Sequence, residues 1–225
     1  MNMGEGNSIE RLIWKSGREM GLYVQYGCGL CSPDGWVNFD TSPSLRMKRV
    51  PVFGKFLTKV PWPDTVKFGD IRTGLPVADG SADGAYCSHT LEHLALEDLR
   101  LALKNTFRVL KPGGVFRLVL PDLKLLATEY MNDSSPEAAM KFMEHSLLGR
   151  PNRPKGLSGL VRSWLGNSEH LWMWDFESLS AELANAGFTN IRRAQFGDSG
   201  DENFAKVEDV GRWTSALGIQ CQRPA

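Results

Sequence analysis

Short apolar runs, bounded by glycine, proline or acids, alternate along this chain with stretches whose apolar positions recur every three or four residues. Residues 22–26, 36–40, 66–71, 84–88, 115–120, 189–196 and 217–222 read as seven strands. Residues 91–110 carry Leu94, Leu99, Leu103, Phe107 and Leu110 near helical spacing, and Lys111-Pro112-Gly113-Gly114 stops that helix. A further helix is expected to begin at Asp122, which is suited to cap it. Another covers 175–186, with Phe176, Leu179 and Leu183 inward and Gly187 at its end. Residues 8–18 form a short amphipathic helix on the domain edge. Prolines 43, 51, 61 and 63 reduce 41–64 to loop, with one helical turn around 52–57. Strands alternating with helices predict an α/β fold with a doubly wound, mostly parallel seven-stranded sheet.

The organisation changes between 132 and 170, where prolines and glycines interrupt the pattern, and a lid or insertion is expected there. One domain over 1–225 is expected, with a cofactor-binding core at 20–125 and a C-terminal helix and last strands at 175–222. Lys141, Arg150, Arg153, Lys155 and Arg162 outnumber Glu144 and Glu169 in the lid, with Trp164, Trp172 and Trp174 nearby. Such a surface could hold an anionic or glycosyl acceptor, or the tryptophans could simply seal the core.

With 26 basic and 26 acidic side chains the chain has no net charge, so nothing global points to nucleic acid or an anionic membrane. No apolar run is long enough to span a bilayer, and four cysteines do not make a disulfide framework; a reduced, cytoplasmic protein is expected.

The chemistry concentrates at Tyr26-Gly27-Cys28-Gly29, where the first strand runs into a Gly-x-Gly turn, and at Asp40, the acid that ends the next strand. Glycines let a backbone approach a nucleotide closely, and a carboxylate at that position can accept from both ribose hydroxyls. Only nine residues, 27–35, join the two strands. A helical crossover needs about ten to twelve, so the helix after the glycines is expected to be stunted or missing. A dinucleotide uses that helix N-terminus to hold its pyrophosphate. S-adenosylmethionine, which has no phosphate, fits; NAD fits poorly.

The stretch Leu75-Pro76-Val77-Ala78-Asp79-Gly80 through Ser88-His89-Thr90-Leu91-Glu92-His93-Leu94, followed by Arg108-Val109-Leu110-Lys111-Pro112-Gly113-Gly114, resembles the fourth strand, helix and turn of a class I S-adenosylmethionine-dependent methyltransferase of the type-11 kind. The resemblance spans 20–125, with a weaker echo at 170–222. It is greatest to a subgroup often associated with polysaccharide or cell-envelope biosynthesis, whose Gly-Cys-Gly turn likewise runs into Gly-Trp-Val-Asn-x-Asp. Gln25 stands where the family usually has an acid, and Cys31 replaces the usual third glycine.

The resemblance implies a transferase taking S-adenosylmethionine as cofactor and a small-molecule or glycan-type acceptor. A catalytically inactive cofactor-binding module or partner subunit is the alternative. Gly27, Cys28 and Gly29 would lie against the methionine part, Asp40 would take the ribose, and Asp70 with Ile71 would contact the adenine. Ser88, ending the fourth strand, would border the methyl group. His89 is the candidate general base, unless it merely bonds a loop carbonyl, and His170 is the runner-up. Glu92 reads as an acid favourably placed at a helix start, and His93 as a packed histidine. Cys28, Cys31, Cys87 and His89 could in principle converge on zinc. Cys28 sits in a loop that must stay open, however, and no metal is expected. A short-chain oxidoreductase is disfavoured because no tyrosine has a lysine four residues later.

Overall fold

A computed structural model describes residues 21–48, 60–150, 152 and 169–225. The expected helix at 8–18 and the turn around 52–57 lie outside these residues, as does most of the second half of the lid.

Seven strands form one sheet: β1 (Tyr23–Tyr26), β2 (Trp36–Asp40), β3 (Val66–Phe68), β4 (Ala82–Ser88), β5 (Leu110–Pro121), β6 (Thr189–Ala194) and β7 (Ala216–Gln222). Their spatial order is β3-β2-β1-β4-β5-β7-β6. Neighbours from β3 to β5 run parallel, and β7 is antiparallel to both β5 and β6. The expected doubly wound α/β sheet is therefore observed. The chain leaves β1 toward β2 and β3, then returns to the other side of β1 with β4, so the winding direction reverses between β1 and β4. Ligands of such sheets bind at the carboxyl ends of the strands flanking that reversal.

Both faces of the central strands are covered, which explains their nearly unbroken apolar runs. Val24, Phe39, Ala85, Leu118 and Ile219 belong to the main core, together with Leu99 and Leu103 of α2 (Leu96–Val109) and Leu179 and Leu183 of α5 (Phe176–Asn185). The shorter elements are α1 (Pro43–Lys48), α3 (Leu123–Asn132), α4 (Ala138–His145) and α6 (Val210–Trp213). Asp122 caps α3 by accepting from the amides of Lys124 and Leu125, and Asp175 forms a capping box with Ser178 on α5.

Four elements depart from the sequence pattern. The helix expected over 91–110 is split: Leu91–His93 make one 3₁₀ turn, Leu94 and Ala95 are extended, and α2 starts only at Leu96. The restart is favourable, because Glu97 and Asp98 then occupy the first turn. The Lys111–Gly114 stop is a bulge inside a longer β5, since Leu110 pairs with Ala82 and Val115 with Gly84. Two helices were not expected: α1 forms in the stretch read as loop before the turn at 52–57, and α4 lies within the expected lid.

The C-terminal third is held by a buried cation. Arg117 on β5 has no exposed surface. Its guanidinium donates to Glu208 (2.8 and 2.5 Å), Asp198 (2.8 Å), the Gln220 side chain (2.7 Å) and the Gln195 carbonyl (3.1 Å). It also lies 4.9 Å from the Trp213 ring centroid. At the far edge, the Arg223 guanidinium donates to the carbonyls of Phe107, Arg108 and Leu110, closing the end of α2.

Arg117→Met would strand Glu208, which is equally buried, without its partner. Breaking a buried pair from one side costs about 3–5 kcal/mol, and urea denaturation is expected to show a loss of that size.

Candidate active site

The turn after β1 carries no helix. Residues 27–35 are turns, a bend and irregular backbone with no helix among them, in keeping with the nine-residue spacing. Gly27 and Gly29 both have left-handed backbone (φ 63° and 54°). At Gly27 the missing side chain is also a packing requirement: a Cβ there would lie 2.0 Å from Thr90 Oγ1. At Gly29 a Cβ would meet nothing within 4 Å. The two glycines thus serve different ends, one letting the β4 loop close over the turn, the other leaving the backbone open to approach.

Asp40 ends β2 beside this turn and is 6% exposed. Its Oδ2 accepts from the Gly29 amide (2.9 Å) and its Oδ1 from the Ser42 amide (2.7 Å). The Cys28 amide donates to the Phe39 carbonyl (3.1 Å). Acid and turn are therefore one unit, and each carboxylate oxygen keeps a second lone pair. Gln25, which stands where an acid is usual, donates to the Cys31 carbonyl (2.8 Å) and to Asn38 Oδ1 (2.6 Å). An amide can brace this loop where a carboxylate, having no donor, could not. Cys28 is buried, and burial pushes its thiol pKa far up, so it stays a neutral thiol. Cys31 is exposed.

Asp70 and Ile71, the expected adenine-contacting pair, follow β3. Arg72 folds back on Asp70 through Nε (3.0 and 3.1 Å), a terminal nitrogen (2.7 Å) and its own amide (2.9 Å). Burial raises the Asp70 pKa, but these bonds outweigh it and hold the carboxyl below its ordinary value. Ile71 is 4% exposed within the main core. A local i, i+2 ion pair and a core contact use both residues, and apolar periodicity does not reveal either.

Ser88 ends β4 level with Gly27, and its buried Oγ has no well-aligned hydrogen-bond partner among the described residues. His89 follows in a left-handed conformation (φ 47°), which costs a non-glycine residue about 1–2 kcal/mol. Its amide donates to the Val119 carbonyl (2.9 Å) and its Nε2 to the Arg212 carbonyl (2.9 Å). Its Nδ1 lies 3.3 Å from Glu92 Oε1. Burial lowers the His89 pKa, but Glu92 and the Arg212 carbonyl more than offset this and leave it above the ordinary histidine value.

Glu92 is the residue that the sequence pattern understates. It is completely buried, and neither carboxylate oxygen makes a well-aligned hydrogen bond among the described residues. His170 approaches it from the far end of the lid, with Nε2 at 3.9 Å from Oε1, and the His93 and His170 rings stack edge to face at 4.9 Å. Burial is the main cause that pulls the His170 pKa below its ordinary value. The signal available was the His89-x-x-Glu92-His93 spacing on a single turn. What spacing could not supply was His170, seventy-seven residues after His93.

Residues 37–118 match a family model described as a methyltransferase domain. That stretch contains Asp40, β3, β4, the His89–His93 turn and most of β5. Over 82 residues the chain is 43% identical to the O-methyltransferase rstn1 of Aspergillus nomiae, taking in 36% of this chain and 32% of that one. Over 70 residues it is 46% identical to the O-methyltransferase resE of Aspergillus sclerotiorum, 31% of this chain and 24% of that one. The match thus spans about a third or less of these relatives. A solved S-adenosylmethionine-dependent methyltransferase from Thermotoga maritima is 17% identical over 96% of this chain and 86% of its own, with a TM-score of 0.48, too slight a likeness to add to the topology described above.

The two glycines separate in a stability measurement. Gly29→Ala is expected to cost only the left-handed strain, about 1 kcal/mol. Gly27→Ala adds overpacking against Thr90 of about 1–3 kcal/mol. Chemical denaturation of the two variants should rank them in that order.

Proposed function

We propose that the protein is an S-adenosylmethionine-dependent methyltransferase acting on the hydroxyl of a small-molecule acceptor. The observation that carries this reading is the junction of Asp40 with the Gly27–Gly29 turn, across two adjacent parallel strands at the point where the sheet winding reverses. The methyltransferase-domain match over 37–118 supports it, and the names of the two fungal relatives favour oxygen as the atom methylated. Gly27, Cys28 and Gly29 offer backbone to the methionine part, and the free lone pairs of Asp40 accept from the ribose. No helix N-terminus stands ready for a diphosphate, which disfavours NAD.

Ser88 and His89 border the methyl group. S-adenosylmethionine held there would supply an electrophilic sulfonium methyl to the acceptor oxygen, and the hydroxyl proton would have to leave to a base. Most of the acceleration comes from holding oxygen, carbon and sulfur in line. His89 takes the proton only through Nδ1, because its Nε2 already donates to a carbonyl. His170 is the runner-up base. A basic and aromatic grip on a glycan rests on Arg153, Lys155, Arg162 and Trp164, which lie outside the described residues. Of its other members, Lys141 pairs with Asp133 and Arg150 with Glu169.

The engagement of both His89 nitrogens favours one second reading, a module that binds the cofactor without transferring methyl groups. Calorimetric titration is expected to show binding of S-adenosylmethionine and its demethylated product and none of NAD. Asp40→Ala should weaken that binding by about 1–3 kcal/mol, some five- to 150-fold. Unchanged affinity would remove Asp40 from the ribose. Tight binding without methyl transfer to any small hydroxyl acceptor would select the second reading.

A further inference from the structure

Glu92, His93 and His170 each offer one ligand atom, and these atoms lie within 4.8 Å of one another. The groups come from two separate parts of the chain, and backbone bonds fix them together: the amides of Leu171 and Trp172 donate to the Glu92 carbonyl (2.8 and 3.2 Å), and the His170 amide donates to the Leu147 carbonyl (3.4 Å). The imidazoles are held through their other nitrogens. His93 Nδ1 bonds the Glu169 carbonyl (2.9 Å) and His170 Nδ1 bonds the Ser146 carbonyl (2.7 Å). A carbonyl can only accept, so each Nδ1 carries a proton, and Nε2 is the ring nitrogen that could serve as a ligand. A backbone carbonyl on the far nitrogen is how metal-bound histidines are oriented, their tautomer fixed and their basicity raised.

The cluster therefore gathers electron-pair donors around a carboxylate that is fully buried and has no well-aligned hydrogen bond among the described residues. Burying an anion in this way is costly unless a cation meets it. His89, 3.3 Å from Oε1, can supply charge from one side when protonated, yet it leaves Oε2 without a hydrogen bond among the described residues. We propose that Glu92, His93 and His170 bind a divalent first-row transition ion of the zinc class. Two imidazoles with one carboxylate suit zinc, cobalt or iron better than magnesium or calcium. The 3.9 Å between His170 Nε2 and Glu92 Oε1 is within reach of one ion with bonds of about 2.0–2.2 Å. Three protein ligands leave at least one position for water or a substrate oxygen, and an ion there lowers the pKa of the bound hydroxyl. This site differs from the cysteine set weighed in the sequence, and it stands whether or not the chain transfers methyl groups.

The test is titration of the full chain, stripped with chelator, with Co²⁺ followed by visible absorption, and with Zn²⁺ by calorimetry. One equivalent is expected to bind, with Co²⁺ ligand-field bands of low-coordinate nitrogen–oxygen ligation and no thiolate charge-transfer band. Glu92→Gln and, independently, His170→Asn should each weaken binding at least about tenfold, while Cys31→Ser leaves it unchanged. Circular dichroism shows which variants remain folded. Absence of binding to the wild-type chain, or undiminished binding to both folded variants, overturns the proposal, and a protonated His89 then accounts for Glu92. S-adenosylmethionine titration of the same samples reports separately on the function proposed above.

Discussion

The register of β1 with its two parallel neighbours is the constraint from which the site follows. Tyr26 stands opposite both Phe39 and Cys87, so the chain leaves β1, β2 and β4 at the same level. Gly27, Asp40 and Ser88 reach one edge of the sheet because three strands end together. A slip of one residue would turn every side chain of the slipped strand to the opposite face. The short turn after β1 then does the rest. With no helix to bury, its backbone groups are free to be organised by side chains: Asp40 holds the Gly29 amide from β2, and Gln25 holds the Cys31 carbonyl from β1.

Much of this was legible in the sequence, because it depends on local spacing. Seven apolar runs gave the strands, and the nine residues between the first two excluded a crossover helix. Asp122 announced the cap it makes. The parts that escaped depend on partners far away or on competition between neighbours. Arg72 reaches Asp70 two residues away, and no periodicity encodes that choice. The break at Leu94 and Ala95 interrupts a stretch whose leucines keep helical spacing throughout. Glu92 reads as an ordinary acid at a helix start until His170 is placed beside it.

Two buried charges show opposite solutions to one problem. Arg117 is surrounded by two carboxylates, a side-chain amide, a carbonyl and an indole face. Its charge is spent on attaching residues 195–213 to the sheet. Glu92 receives an imidazole at 3.3 Å on one oxygen and nothing comparable on the other. A saturated buried charge makes a rigid scaffold, whereas an unsaturated one is a place where function tends to concentrate.

Arg223 has a further meaning for how the chain is made. Its guanidinium completes the last carbonyls of α2, a helix that begins more than a hundred residues earlier. Synthesis runs from the N-terminus, so the latch is made only after β5, β6 and β7. The sheet edge beside β5 stays open until β7 is made, and the nascent protein spends that interval with its central strands exposed to wrong partners.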